Sequence, residues 1–122
     1  MLFTMNTVKA TVADMSDELI VHVKAGNAKE IAKYLAGTVE LTILSDENVY
    51  SKVQAEAILK DFFAKHQPSS VKLLHKITSN PNYRYTVLVL NTTNGAYRVS
   101  FTIKNTGGTF LVSEIRIEPN KD

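Results

Sequence analysis

Two adjacent phenylalanines, Phe62 and Phe63, close the stretch that most constrains this chain: Ser51-Lys-Val-Gln-Ala-Glu-Ala-Ile-Leu-Lys-Asp-Phe-Phe-Ala-Lys-His66. Ala55, Ile58, Leu59, Phe62 and Phe63 recur at i, i+3, i+4, i+7 and i+8, which is one face of a helix. Lys52, Glu56 and Lys60 share the opposite face at steps of four, where they can pair in solvent. Ser51 with Gln54 three residues on reads as a capping box, the hydroxyl and the amide each satisfying an orphan backbone N–H. Pro68 forbids continuation past His66 and Gln67. A helix with this much aromatic surface needs a broad apolar platform, and the chain after Pro68 has the pattern of a sheet.

Four strands are predicted there, near residues 70–79, 84–92, 96–105 and 110–118, with turn signals at Asn80-Pro-Asn82, Asn94-Gly95 and Gly107-Gly108. Asn94-Gly95 is the strongest hairpin signal, because both residues accept the positive φ of a type I′ turn. Upstream, Val8, Val12, Met15, Leu19 and Val23 form a helical stripe that starts near Asn6 or Thr7 and stops at Gly26. Asn27 then caps a second helix, with Glu30 three residues on, Ala28, Ile31, Ala32 and Leu35 facing inward, and Gly37 at its end. Val39 to Ile43 alternates as a strand, Ser45 to Asn48 reads as a turn, and Val49-Tyr50 as a strand stub. The expected fold is α+β: helix, helix, strand pair and helix, followed by a four-strand antiparallel meander whose curved sheet carries the helices on one face. At 122 residues, one domain spanning 1–122 is expected.

Composition narrows the function classes. A formal net charge of +2 and the lack of any lysine/arginine cluster argue against a nucleic-acid partner. The chain has no cysteine, which excludes disulfides, zinc thiolates and thiol nucleophiles. No apolar run approaches the roughly 20 residues of a membrane helix. Met1-Leu-Phe-Thr-Met5 is too short and lacks the basic start of a signal peptide.

Several pieces carry a family likeness: Lys24-Ala-Gly-Asn-Ala-Lys-Glu30, Val39-Glu-Leu-Thr-Ile-Leu44, the block from Val49 to Phe63, Tyr97-Arg-Val99 and Ile115-Arg-Ile-Glu118. On these the chain resembles a bacterial family of small exported proteins without assigned chemistry. That family lies within the cone-shaped, cystatin-like superfamily named after nuclear transport factor 2. The resemblance implies a curved sheet, a homodimer and an exported location, and it implies no catalytic residues.

Hairpin pairing sorts the side chains by face. With Asn94-Gly95 as a two-residue loop, Leu90 opposes Val99, Leu88 opposes Phe101 and Thr86 opposes Ile103 on the covered face. Arg98, Ser100, Thr102 and Lys104 fall on the other face with Tyr85, Val87 and Val89. A strict Gly107-Gly108 loop would bury Glu114 and Arg116, at several kcal/mol each before pairing. A loop one residue longer or shorter, or a glycine bulge, is therefore expected, with Leu111, Ile115 and Ile117 in the core and Glu114 and Arg116 paired outside. Val71, Leu73, His75 and Ile77 form the apolar side of the first meander strand, against Lys72, Leu74, Lys76 and Thr78. That makes His75 the titratable strand residue expected inside.

His75 could serve as a general acid/base or a ligand-binding group, or simply be a hydrogen-bonded core histidine. The core reading leads, because Glu40, Glu114 and Asp61 face outward and leave the imidazole without a carboxylate. His22 and His66 sit on helices among solvent-facing neighbours, and the three histidines lack metal-ligand spacing. Asp46 and Glu47 read as a solvated loop tip. Tyr34, Tyr50 and Tyr97 fall near the ends of core elements, where amphipathic rim packing suits them. Three functions remain, in order. The first is a non-catalytic module that holds an apolar ligand or peptide in the cone against Tyr34, Tyr50, Phe62, His75, Tyr97 and Phe101, with no cofactor or metal. The second is an interaction protein with a filled core, dimerising through an outer-face strip of Leu74, Tyr85, Val87 and Val89. The third is a cone-type lyase, isomerase or hydrolase using His75.

Overall fold

The computed structural model describes residues 12–121. Three helices, α1 (Val12–Ala25), α2 (Ala28–Ala32) and α3 (Lys52–Lys65), accompany six strands: β1 (Leu35–Ile43), β2 (Asp46–Ser51), β3 (Pro68–Asn80), β4 (Tyr83–Thr92), β5 (Gly95–Thr106) and β6 (Thr109–Pro119). The strands form one sheet in the order β2-β1-β6-β5-β4-β3. The β3-to-β6 meander is antiparallel as expected, but β1 joins it through a parallel pairing with β6, so the sheet is mixed.

Ser51 and Gln54 make the expected capping box at the start of α3. Its Ala55, Leu59, Phe62 and Phe63 are buried in a core built with Leu88, Leu90, Val99, Phe101, Ile103, Ile115 and Ile117 of the sheet. The ion pair seen on α3 is Lys65–Asp61 at 3.1 Å. On α1, Leu19 and Val23 are buried and Met15 is half-buried, while Val8 and the expected start at Asn6 or Thr7 lie outside the described residues. Gly26, at φ +65°, ends α1 with its N–H on the Val23 carbonyl (3.0 Å) and the Asn27 N–H on the His22 carbonyl (2.9 Å). The second helix is shorter than its sequence pattern suggests. It ends at Ala32, and Leu35 and Gly37 belong to β1, whose ladder with β6 begins where Leu35 meets Val112.

Register is where structure and sequence part. The β4–β5 loop is Thr93-Asn94, with Thr92 opposite Gly95, so Leu90 pairs with Tyr97, Leu88 with Val99 and Thr86 with Phe101. Every expected pair is displaced by two residues, which leaves the faces unchanged. Neither Thr93 nor Asn94 has positive φ, so this is not a type I′ turn; Gly107 and Gly108, at +60° and +91°, are the loop in which both residues do. The β5–β6 hairpin keeps that strict two-residue loop and corrects its parity further along. The ladder slips between Thr102↔Glu114 and Ile103↔Val112. Val112 rather than Leu111 is thereby core, Leu111 lies opposite Lys104, and Ile115 and Ile117 are buried as expected. Arg116 lies outside between Glu114 (3.6 Å) and Glu118 (2.8 Å).

A second slip decides the fate of His75. Leu73 pairs with Leu88 on the core side, but His75, not Leu74, pairs with Val87 on the outer side. One extra residue has entered β3, so His75 and Ile77 face outward and Lys76 pairs with the inward Thr86. His75 is exposed, which overturns its expected inward placement. Thr42 is buried on the outer face across from Arg116.

Candidate functional site

A helical stripe on α3 and the inner side of the β1–β2 hairpin leave a cleft of about 310 Å³ between them. Ile58, Asp61, Phe62, Lys65 and His66 supply one wall. Their spacing of i, i+3, i+4, i+7 and i+8 puts them on one side of the helix. Leu41, Ile43, Leu44, Asp46 and Tyr50 supply the other. The two-residue turn Leu44-Ser45 shapes that wall: Leu44 takes φ +59° and its N–H reaches the Ile117 carbonyl at 2.7 Å. A non-glycine residue held there stores strain, offset here by that hydrogen bond.

Asp46 was expected in a loop, yet it lies in β2 opposite Ile43 and so on the cleft side of the sheet. With Asp61 it corrects the expectation that the inner wall carries no carboxylate. Asp61 is paired with Lys65, while Asp46 has no ion pair among the described residues.

His66 is the least anticipated member. It caps the end of α3, and its N–H bonds the Phe62 carbonyl at 2.8 Å. The ring stacks on Phe62 with centroids 4.4 Å apart and planes 24° apart, and Tyr97 meets both rings edge-on. Its Nδ1 is 2.7 Å from Asn94 Oδ1 and 3.1 Å from the Tyr97 hydroxyl. Asn94 itself is held by its Nδ2 on the Lys65 carbonyl (3.1 Å) and by its backbone N–H on the Thr92 hydroxyl oxygen (3.2 Å). The usable signal was Phe62 four residues before a histidine at the helix stop, which stacks the two rings. Nothing local in the sequence brings Asn94 to them.

Of the six residues expected to line a site, Tyr50 and Phe62 line the cleft, and Tyr97 backs it through His66 and Phe62. Phe101 is filled-in core. His75 is on the outer face. Tyr34 lies apart, its hydroxyl donating to the Glu18 carboxylate and its ring 6.0 Å from that of His22. Burial and that carboxylate push the Tyr34 phenol up to about 12. Among the described residues no group of three or more His, Asp or Glu could hold a metal ion, and no helix is long and apolar enough to cross a membrane.

A family model described as Domain of unknown function (DUF4783) matches residues 16–118, and the chain belongs to that family. No curated protein sequence matches the chain. A DUF4783 family protein from Bacteroides uniformis superposes with a TM-score of 0.82 at 26% identity, covering 87% of this chain and 97% of its own. A domain of unknown function with a cystatin-like fold from Nostoc punctiforme gives 0.68 at 10% identity, covering 92% and 80%. An NTF-2 like protein of unknown function from Silicibacter pomeroyi gives 0.64 at 8%, covering 89% and 92%. The fold is therefore the cystatin-like, nuclear transport factor 2-like one.

Proposed function

We propose that this member of a family without assigned function is a non-catalytic binding module, and that its ligand seats an apolar body in the cleft between α3 and the β1–β2 hairpin. The observation that carries the reading is the composition of that cleft: Leu41, Ile43, Ile58 and Phe62 make an apolar floor, and Asp46, Asp61, Lys65 and His66 make a polar rim. Its size falls at the lower end of the roughly 300–1,000 Å³ of small-molecule sites. Binding is favoured over proton transfer because His66 leans on a neutral amide, not on a carboxylate that would stabilise an imidazolium. The acid/base role considered for His75 loses its support, since that residue faces away from the helices.

Protein-observed NMR with small aromatic fragments tests this. Binding is expected to shift the resonances of Ile58, Phe62 and His66 and to vanish in Ile58→Trp, which fills the cleft. Shifts confined to other surfaces, or binding that survives Ile58→Trp, would sink the reading.

A second reading, self-association through the outer face, draws on β3. This long strand lies at the sheet edge with Leu74 and Ile77 46% and 36% exposed. An edge of this kind favours pairing with another chain. Val87, only 7% exposed, adds little to that strip. Sedimentation showing only monomer at roughly tens of micromolar would count against the dimer.

A further inference from the structure

The cleft contains one imidazole whose protonation pattern its neighbours dictate. The Lys65 carbonyl can only accept, so the Asn94 atom 3.1 Å from it must be the amide nitrogen. The Asn94 oxygen then faces His66 Nδ1 at 2.7 Å. An amide oxygen cannot donate, so Nδ1 must carry the proton. In a neutral imidazole this leaves the lone pair on Nε2. Nδ1 takes the bonds that Asn94 and Tyr97 make, and Nε2 has no partner among the described residues. Phe62 beneath the ring and Tyr97 against its edge stop it from turning.

We propose that His66 is the ligand-recognising group of this cleft, an Nε2 acceptor preset by Asn94, and that its ligand joins an apolar body to a hydrogen-bond-donating head, a hydroxyl or amine rather than a carboxylate or phosphate. The inference rests on the cleft being the binding site. The rest of the rim agrees with it. The Asp46 carboxylate adds a second acceptor, and the one ammonium group, Lys65, is already engaged by Asp61 at 3.1 Å. An anionic head would meet a lone pair and the unpaired Asp46 carboxylate, while the Lys65 ammonium is already balanced by Asp61. Asn94 is a positioning residue, because it acts on the ligand only by fixing the tautomer.

The experiment uses four probes of similar shape, toluene, benzyl alcohol, benzylamine and benzoate, with ¹⁵N NMR of the imidazole in the full chain. The free protein should show a protonated Nδ1 and an unprotonated Nε2. The alcohol and amine should bind about three- to tenfold more tightly than toluene, the value of one net hydrogen bond, and should shift Nε2. Benzoate should bind most weakly. His66→Phe, which keeps the stacking, should bring the alcohol level with toluene. Asn94→Ala should mix the tautomers in the spectrum and weaken the alcohol but not toluene. An Nε2–H tautomer in the free protein overturns the proposal whatever binds. Equal binding of all four probes overturns it too, while leaving the cleft as a plain apolar site. Failure of every probe, toluene included, overturns the cleft reading and this inference with it.

Discussion

Two buried threonines offer the same substitution with opposite expected signs. Thr42 is 4% exposed and its Oγ1 has no hydrogen-bond partner. Thr86 is 1% exposed and its Oγ1 lies 3.1 Å from the hydroxyl of Ser16, itself 1% exposed, which ties α1 to β4. Valine keeps the β-branched shape that suits a strand, so each Thr→Val change removes little beyond the hydroxyl. Burying an unpaired hydroxyl costs about 1–3 kcal/mol on mutational scales. Thr42→Val should therefore stabilise the protein, by about 1 kcal/mol, because the position lies on the outer face beside the adaptable Arg116. Thr86→Val should destabilise by about 1–3 kcal/mol, since it strands the Ser16 hydroxyl in the interior. Urea unfolding at equal m reads both changes directly. A thermal melt should move by roughly 3–6 °C per kcal/mol for a chain this size, up for one variant and down for the other. A destabilised Thr42→Val with unchanged m would mean that its hydroxyl is satisfied, and the reasoning from an unpaired oxygen would fail.

Gly26→Ala should cost about 1–2 kcal/mol, because φ +65° is unfavourable for any Cβ and this one would also sit 3.3 Å from Pro68 Cδ; chemical denaturation checks it. Ser51→Ala should cost about 1 kcal/mol by removing the acceptor 3.2 Å from the Gln54 N–H, again read by denaturation, with no change expected in Ser51→Asp. In a spectrophotometric titration Tyr34 should ionise only near pH 12, held back by burial and then by Glu18, and Glu18→Gln should bring it down. Because that pKa is raised above its value in the unfolded chain, the stabilisation is complete below about pH 10 and is lost as pH rises toward 12.

Local signals reached the elements; they did not reach the registers. The α3 stripe, the Ser51–Gln54 box and the Gly26 stop each depend on residues within a few positions and were legible, whereas the Gly107-Gly108 turn was legible in place but not in length. The bulges in β3 and β6 have no such local mark. A strand inserts its extra residue wherever that buries the better set of side chains, as when Ile115 and Ile117 enter the core and Glu114 and Arg116 leave it. In β6 the cost of two buried charges announced that some slip must occur, though not where. In β3 the alternation of Val71, Leu73, His75 and Ile77 looked complete without one, so strict parity carried His75 to the wrong side. The parallel β1–β6 pairing joins segments from opposite ends of the chain, and its evidence is tertiary by nature.

The same distinction explains why the candidate site was only half visible. Its wall residues on α3 follow from helical spacing, but its polar centre arises where the end of α3 meets the β4–β5 turn. Moving that turn one residue back, from Asn94-Gly95 to Thr93-Asn94, leaves Gly95 to begin β5 and frees the Asn94 side chain to face α3. There the amide donates to the Lys65 carbonyl and accepts from the His66 ring. The Thr93 N–H adds a bond to the Gln67 carbonyl at 3.0 Å. A hairpin tip anchored at three points to a helix end is a stiff support, and stiffness is what a recognition group needs, because a ring that need not be ordered on binding loses less entropy there. The neutrality of Asn94 then sets the kind of work such a ring can do: it fixes direction without adding charge, which favours receiving a donor over carrying a proton away.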